Sequence, residues 1–201
     1  MMPAIALVAA YLIGAIPFGF LLVRWKTGAD IRASGSGNIG ATNVLRTTGW
    51  PIGLATLLLD IAKGYFAVWL AGRLTGGDVL WMSAAAVAVM AGHAFPIFLG
   101  GKGGKAVASF AGAYLCLTPI PLLATAVVFF VMVIWTRHIS AGSIVGAAAF
   151  PLAVWLISHP PAAVVVAAAV SGALILYRHR ENVARLRAGN ENVFSVRGRP
   201  Q

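Results

Sequence analysis

Seven apolar runs alternate with short polar stretches along the chain, at about Pro3 to Val23, Trp50 to Ala71, Val79 to Ala94, Ala106 to Leu117, Leu122 to Trp135, Ala141 to Ile157 and Ala162 to Tyr177. A helix of roughly 20 apolar residues crosses the hydrocarbon of a bilayer. The pattern therefore predicts an all-α integral membrane protein of seven transmembrane helices, some short, in a single membrane domain over residues 1–201. Gly14 and Pro17 fall inside the first run, where a proline kinks a membrane helix if neighbours satisfy the freed carbonyl. The fourth and fifth runs are short, and merging them into a re-entrant hairpin would give five full spans with the same loop sides. The first run lacks a basic leader, so it reads as a retained span rather than a cleaved signal peptide.

Composition agrees with a membrane setting. Hydrophobic residues make up 60% of the chain and charged residues 10%, too apolar a balance for a soluble domain. The net charge of +10 has no aromatic-interleaved basic module beside it, which argues against nucleic acid and for loops held on the cytoplasmic side. Of the fifteen lysines and arginines, all but Lys63 and Arg73 fall at or beyond the same ends of the runs. That asymmetry predicts an outer N-terminus, a cytoplasmic C-terminus and an odd number of crossings. Cys116 is the only cysteine, which excludes an internal disulfide or a cysteine metal cluster.

Two glycine-rich polar loops share the cytoplasmic face. The first, Ser34 to Arg46, contains Gly35, Gly37 and Gly40 in a Gly-x-Gly-x-x-Gly spacing, but it follows a membrane helix and not a strand, so a dinucleotide fold is not implied. What survives is the physics of that motif: backbone N–H groups converging on an anion, with Ser34, Ser36, Asn38, Thr42 and Asn43 as short donors and Arg46 as a fixed charge. The second loop, Gly92 to Lys105, places Lys102 and Lys105 among Gly100, Gly101, Gly103 and Gly104. It lacks Walker spacing, yet a positive-inside anchor would not need four glycines. Beyond the last run, His179, Asn182 and Arg185 lie close to one face if the helix continues.

Inside the second run, Asp60 and Lys63 stand three residues apart, where charge is costly and usually paired; a structural ion pair is the favoured reading and a substrate-facing Lys63 the alternative. His93 joins the third run to the second loop, where it serves either loop-fixing hydrogen bonds or substrate contact. His138 and His159 read as interfacial. No Ser/His/Asp constellation and no ligand-spaced cluster of His, Asp or Glu is present, so neither a metal nor another cofactor is expected. The competing classes are a small organic-anion transporter, which needs polar groups through the bilayer, and a scaffold subunit without chemistry.

Taken together, Ser34 to Arg46, Gly92 to Ala108 and Arg178 to Glu191 resemble the three motifs of bacterial acyl-phosphate:glycerol-3-phosphate acyltransferases of the PlsY type. The resemblance implies transfer of a fatty acyl group from acyl phosphate to the sn-1 hydroxyl of glycerol 3-phosphate, giving lysophosphatidic acid and inorganic phosphate for phospholipid biosynthesis. It also implies a seven-helix fold in the bacterial inner membrane, an active site facing the cytoplasm, and transient contact with the enzyme that produces acyl phosphate. By motif, Ser36, Lys105 and His179 carry over as catalytic. Ser34, Gly37, Asn38, Thr42, Asn43, Arg46, His93, Lys102, Gly103, Gly104, Asn182 and Arg185 carry over as substrate-binding, with Lys63 as a further candidate and Glu191 matching the third motif. The chain departs from the family at Gly101, commonly Phe, at Ala106, commonly Gly, and at Val193, commonly Lys.

Overall fold

The computed structural model describes residues 1–194, and these form ten α-helices and two short 3-10 turns, with no strand among them. The helices are α1 (Met2–Ala15), α2 (Phe18–Thr27), α3 (Ala41–Thr48), α4 (Trp50–Leu74), α5 (Val79–Ala94), α6 (Val107–Leu117), α7 (Pro119–Thr136), α8 (Ile139–Ser158), α9 (Ala162–Arg178) and α10 (Arg180–Arg187). Each expected apolar run is helical over most of its length. By length and composition five helical stretches suffice to cross a membrane, or six if the bent pair of α9 and α10 counts as one span. The fourth run, α6, has only 11 residues.

The first run differs from expectation in being broken rather than kinked. α1 stops at Ala15, Ile16 and Pro17 are non-helical, and α2 starts at Phe18. Proline has no N–H to continue the ladder to the Ile13 carbonyl, and its ring clashes with the preceding turn. The Ile16 N–H reaches the Ile13 carbonyl instead (3.3 Å), and at the break the Ile16 carbonyl accepts from the Phe18 N–H (3.2 Å) and the Lys63 ammonium (2.7 Å).

Small residues set the helix packing. A Cβ on Gly112 of α6 would lie 1.8 Å from the Ile61 carbonyl of α4, and one on Gly64 of α4 would lie 2.1 Å from the Ser109 carbonyl of α6. In lipid, where burial of apolar surface gives helices little reason to associate, such close backbone approach supplies the packing attraction. α1 and α5 meet in the same way at Gly14 and Gly92. The core between them is aromatic at its centre, with Phe110, Tyr114 and Phe150 in mutual ring contact at 4.6–4.8 Å between centroids. α7 is the least covered helix and presents Val127, Phe130, Val131 and Ile134 outward, as expected of a lipid-facing surface.

Candidate active site

The first polar loop is shaped by its own asparagine. Asn43, in the first turn of α3, donates through Nδ2 to the carbonyls of Ser34 (3.0 Å) and Asn38 (2.9 Å), and its Oδ1 accepts the Ser36 N–H (2.9 Å). Gly35 turns left-handed at φ 60°, and a Cβ there would sit 2.3 Å from Asn43 Oδ1, so glycine serves both the turn and the staple. The hydroxyls of Ser36 and Thr42 take no part in these bonds. No side chain caps α3, which leaves its first amides to an incoming anion, with Arg46 one turn further on.

The second loop is pressed against His93. The Gly104 N–H donates to the His93 carbonyl (3.0 Å), and a Cβ on Gly104 would lie 2.1 Å from His93 Nε2. Arg178 fixes the same turn from α9, donating to the carbonyls of Gly103 (2.7 Å) and Gly104 (3.0 Å). Ala106 follows Lys105 in the left-handed region, φ 61° and ψ 9°, a conformation that favours glycine and leaves backbone strain beside Lys105.

At His179 the last run does not continue straight. α10 leaves α9 at 55°, and the bend carries Asn182 and Arg185 over the end of the bundle. Lys105 Nζ donates to Asn182 Oδ1. Glu191 returns to accept from Asn182 Nδ2 (2.8 Å), Arg185 Nε (2.8 Å) and Ser140 Oγ (3.2 Å). The segment after it is strapped down as well: His138 Nδ1–H donates to the Asn192 carbonyl (3.2 Å) and the Phe194 N–H to the Arg137 carbonyl (2.7 Å).

Electrostatics follow from this burial. Burial, with Arg185 nearby, pushes the Lys105 ammonium down to about 8. Burial likewise pushes His179 down to about 4, against its hydrogen bond to the Ile175 carbonyl. That bond (2.8 Å) requires a proton on Nδ1 and leaves Nε2 an acceptor in the neutral ring. Burial opposes the Glu191 carboxylate, but the bonds from Asn182 and Arg185 outweigh it and hold the group below its ordinary range.

All three elements meet at the mouth of one cleft of about 880 Å³. Ser36, Asn38, Thr42, Asn43, Arg46, His93, Lys105, His179, Asn182 and Arg185 line it. Ser34, Gly37, Lys63, Lys102, Gly103 and Gly104 do not; Gly103 and Gly104 instead carry the backbone that presents Lys105. Lys63 is buried, 2.9 Å from Asp60 Oδ1, with its remaining reach spent on Ile16. Below the mouth the cleft is mainly apolar, walled by Leu54 and Leu57 of α4, Phe110 and Ala111 of α6, and Leu122, Ala126, Phe129 and Val133 of α7. A cationic, hydroxyl-bearing mouth above an apolar body fits a molecule with a phosphate at one end and a hydrocarbon chain at the other.

A family model described as glycerol-3-phosphate acyltransferase matches residues 4–189. The chain belongs to the glycerol-3-phosphate acyltransferase family. A member from Geobacter sulfurreducens is 46% identical over 187 residues, 93% of this chain and 95% of its own length. A member from Moorella thermoacetica, glycerol-3-phosphate acyltransferase 2, is 46% identical over 193 residues, covering 96% and 98%. The crystal structure of PlsY, an integral membrane glycerol 3-phosphate acyltransferase, is similar in its glycerol 3-phosphate form with a TM-score of 0.91 and 36% identity, over 97% of this chain and 96% of that one. Its lysophosphatidic acid form gives 0.88 and 34%, over 98% of both chains.

In this member of the acyltransferase family the cleft also involves residues that sequence reasoning did not place there. Asp60 reaches the wall from the ion pair, with His93 Nδ1 3.7 Å from its Oδ1 and 3.2 Å from Ser109 Oγ. Ser140 and Ser143, in the first turns of α8, line it too, as does Arg137. The two serines had a legible signal, hydroxyls one turn apart at the polar start of an apolar run. Arg137 and the loop-holding Arg178 had none that separates them from positive-inside anchors.

Proposed function

We propose that this chain catalyses acyl transfer from acyl phosphate to the sn-1 hydroxyl of glycerol 3-phosphate, at the cytoplasmic face of a seven-span protein whose N-terminus lies outside. Family membership gives the enzyme class, and acylation of glycerol 3-phosphate to lysophosphatidic acid follows from it. The donor is argued from the cleft: one opening combines Ser36, Arg46, Lys105 and Arg185 with a hydrocarbon-lined body. That single juxtaposition carries the reading. Basic residues gathered at the same end of the bundle support the cytoplasmic orientation.

The geometry suggests the following chemistry. The first loop and the α3 amides hold the phosphate of the acyl donor, and Lys105, Arg185 and Asn182 hold glycerol 3-phosphate beside it. The sn-1 oxygen attacks the acyl carbonyl carbon, the carbonyl's bond to the phosphate oxygen breaks, and inorganic phosphate leaves. Acyl phosphate is already a mixed anhydride, so positioning and charge neutralisation supply most of what is needed. The nucleophile's proton goes to the departing phosphate. His179, neutral and pushed down to about 4, is a weak base at neutral pH, and its Nε2 is suited to accept a hydrogen bond from a glycerol hydroxyl. A transport path would need polar groups continuing across the bilayer, whereas away from the mouth the cleft is lined mainly by apolar residues such as Leu122, Ala126 and Phe110.

Purified protein mixed with acyl phosphate and glycerol 3-phosphate tests the reading: phosphate release that requires both substrates is expected. Uptake of glycerol 3-phosphate into proteoliposomes without such release would overturn it.

A further inference from the structure

Glycines inside the helices of this protein have an evident purpose, with one exception. At Gly14, Gly19, Gly53, Gly64, Gly92, Gly112, Gly142 and Gly172 an added Cβ would come within 2.7 Å of a neighbouring helix or loop backbone, and at Gly72 it would press on Met82. Gly146 of α8 is different. A Cβ there meets nothing nearer than Thr125 Cγ2 at 3.5 Å, an ordinary contact, so alanine would fit. Glycine in the middle of a helix weakens it relative to alanine. Helix packing therefore does not account for glycine at position 146.

The cleft does. Gly146 lines it, opposite Thr125 and Phe129 of α7. One turn nearer the polar mouth, a Cβ added at Gly142 would lie 2.7 Å from the Phe129 carbonyl, against 3.5 Å to the nearest atom at Gly146, so the gap between α7 and α8 widens from Gly142 to Gly146. Along α8 the lining residues end at Gly146 and Ala147, and along α7 they run from Ile134 up to Leu122, about 18 Å at 1.5 Å per residue. The missing side chain thus leaves space between α7 and α8 in the apolar part of the cleft, away from the phosphate-binding mouth.

We propose that Gly146 is a specificity-determining residue that sets how long an acyl chain the cleft accepts. This rests on the reading of acyl phosphate as donor. The chain enters with its phosphate at Ser36 and Arg46, and its terminal methylenes occupy the space that a side chain at 146 would take. Each buried methylene contributes about fourfold to binding, so filling that space penalises long chains and spares short ones.

The test compares decanoyl and palmitoyl phosphate, with glycerol 3-phosphate as acceptor, in the wild type, Gly146→Ala and Gly146→Leu. The readout is the ratio of kcat/KM for palmitoyl to that for decanoyl donor. The ratio is expected to fall about fourfold in Gly146→Ala, one methylene's worth, and by at least tenfold in Gly146→Leu. Should Gly146→Leu fail to fold, Gly146→Ala decides alone, because its methyl meets only van der Waals contacts. A ratio unchanged in folded variants overturns the assignment while leaving the donor reading intact. A wild type that transfers from neither donor overturns the donor reading and this inference with it.

Discussion

Lys105 links the burial of the mouth to a measurable pH dependence. Its ammonium is pushed down to about 8, chiefly by burial and then by Arg185, so the cationic form that would hold a phosphate is lost as pH rises through that value. The protonated fraction of the free enzyme falls from about nine-tenths at pH 7 to about one-tenth at pH 9. The substrate phosphate stays dianionic over that range, since its second ionisation lies near pH 6. KM for glycerol 3-phosphate should therefore rise roughly tenfold between pH 7 and pH 9, with kcat at saturation nearly level. Loss of one charge-assisted hydrogen bond is worth about 1.5–3 kcal/mol, or roughly 10- to 150-fold, which leaves room for that rise and sets the plateau expected of Lys105→Met. Steady-state kinetics of the purified enzyme at saturating acyl phosphate give the profile. Two variants fix the sign: Arg185→Gln removes a neighbouring positive charge and should move the midpoint upward, whereas Glu191→Gln removes a negative one and should move it downward. A flat KM up to pH 9, or midpoints that move in the same direction, would refute the assignment of Lys105 as a phosphate ligand that titrates near 8.

Three further predictions concern other parts of the account. Lys63→Met strands the buried Asp60 carboxylate and removes one of the two donors to the Ile16 carbonyl, so it should cost about 3–5 kcal/mol, read as a lower thermal midpoint in detergent; the double variant Asp60→Asn/Lys63→Met should recover part of that. An unaltered midpoint in the single variant would contradict it. His179→Gln should keep kcat close to wild type and raise KM for glycerol 3-phosphate, whereas a fall in kcat of about a hundredfold or more would restore the histidine as general base. Gly112→Val drives a Cβ to 1.8 Å from the Ile61 carbonyl and should separate α4 from α6, at about 1–3 kcal/mol or more; a folded variant of wild-type stability would show that this close approach is dispensable.

The helices were legible because hydrocarbon demands internally satisfied backbone, and the apolar runs that meet this demand are visible without any tertiary knowledge. The predicted third run, Val79 to Ala94, matches α5 residue for residue, since Asp78 caps its start and the Phe95-Pro96 step ends it. The break at Pro17 was less legible: whether a proline kinks or interrupts depends on what satisfies the carbonyls around it, and one of the donors, Lys63, lies 47 residues from Ile16. For the same reason Lys63 could be read as substrate-facing until its two partners were known. In the site, the glycine-rich loops announced anion binding, but the division of labour within them did not show. Asn43 and Gly104 look like ligands in a motif, and in three dimensions one staples the first loop and the other seats the second against His93. Asp60, Ser140 and Ser143 join the cleft only through the crossing of α4, α6 and α8, a relation that no local spacing encodes.

The central claim is that the mouth of the cleft cradles a phosphate leaving group. Its most direct test is the stoichiometry of turnover by the purified enzyme, with lysophosphatidic acid and inorganic phosphate measured in the same reaction from acyl phosphate and glycerol 3-phosphate. One phosphate released per lysophosphatidic acid formed, with both products suppressed together in Ser36→Ala and Lys105→Met, is the expected result. Lysophosphatidic acid formed from an acyl thioester in place of acyl phosphate, without phosphate release, would contradict it.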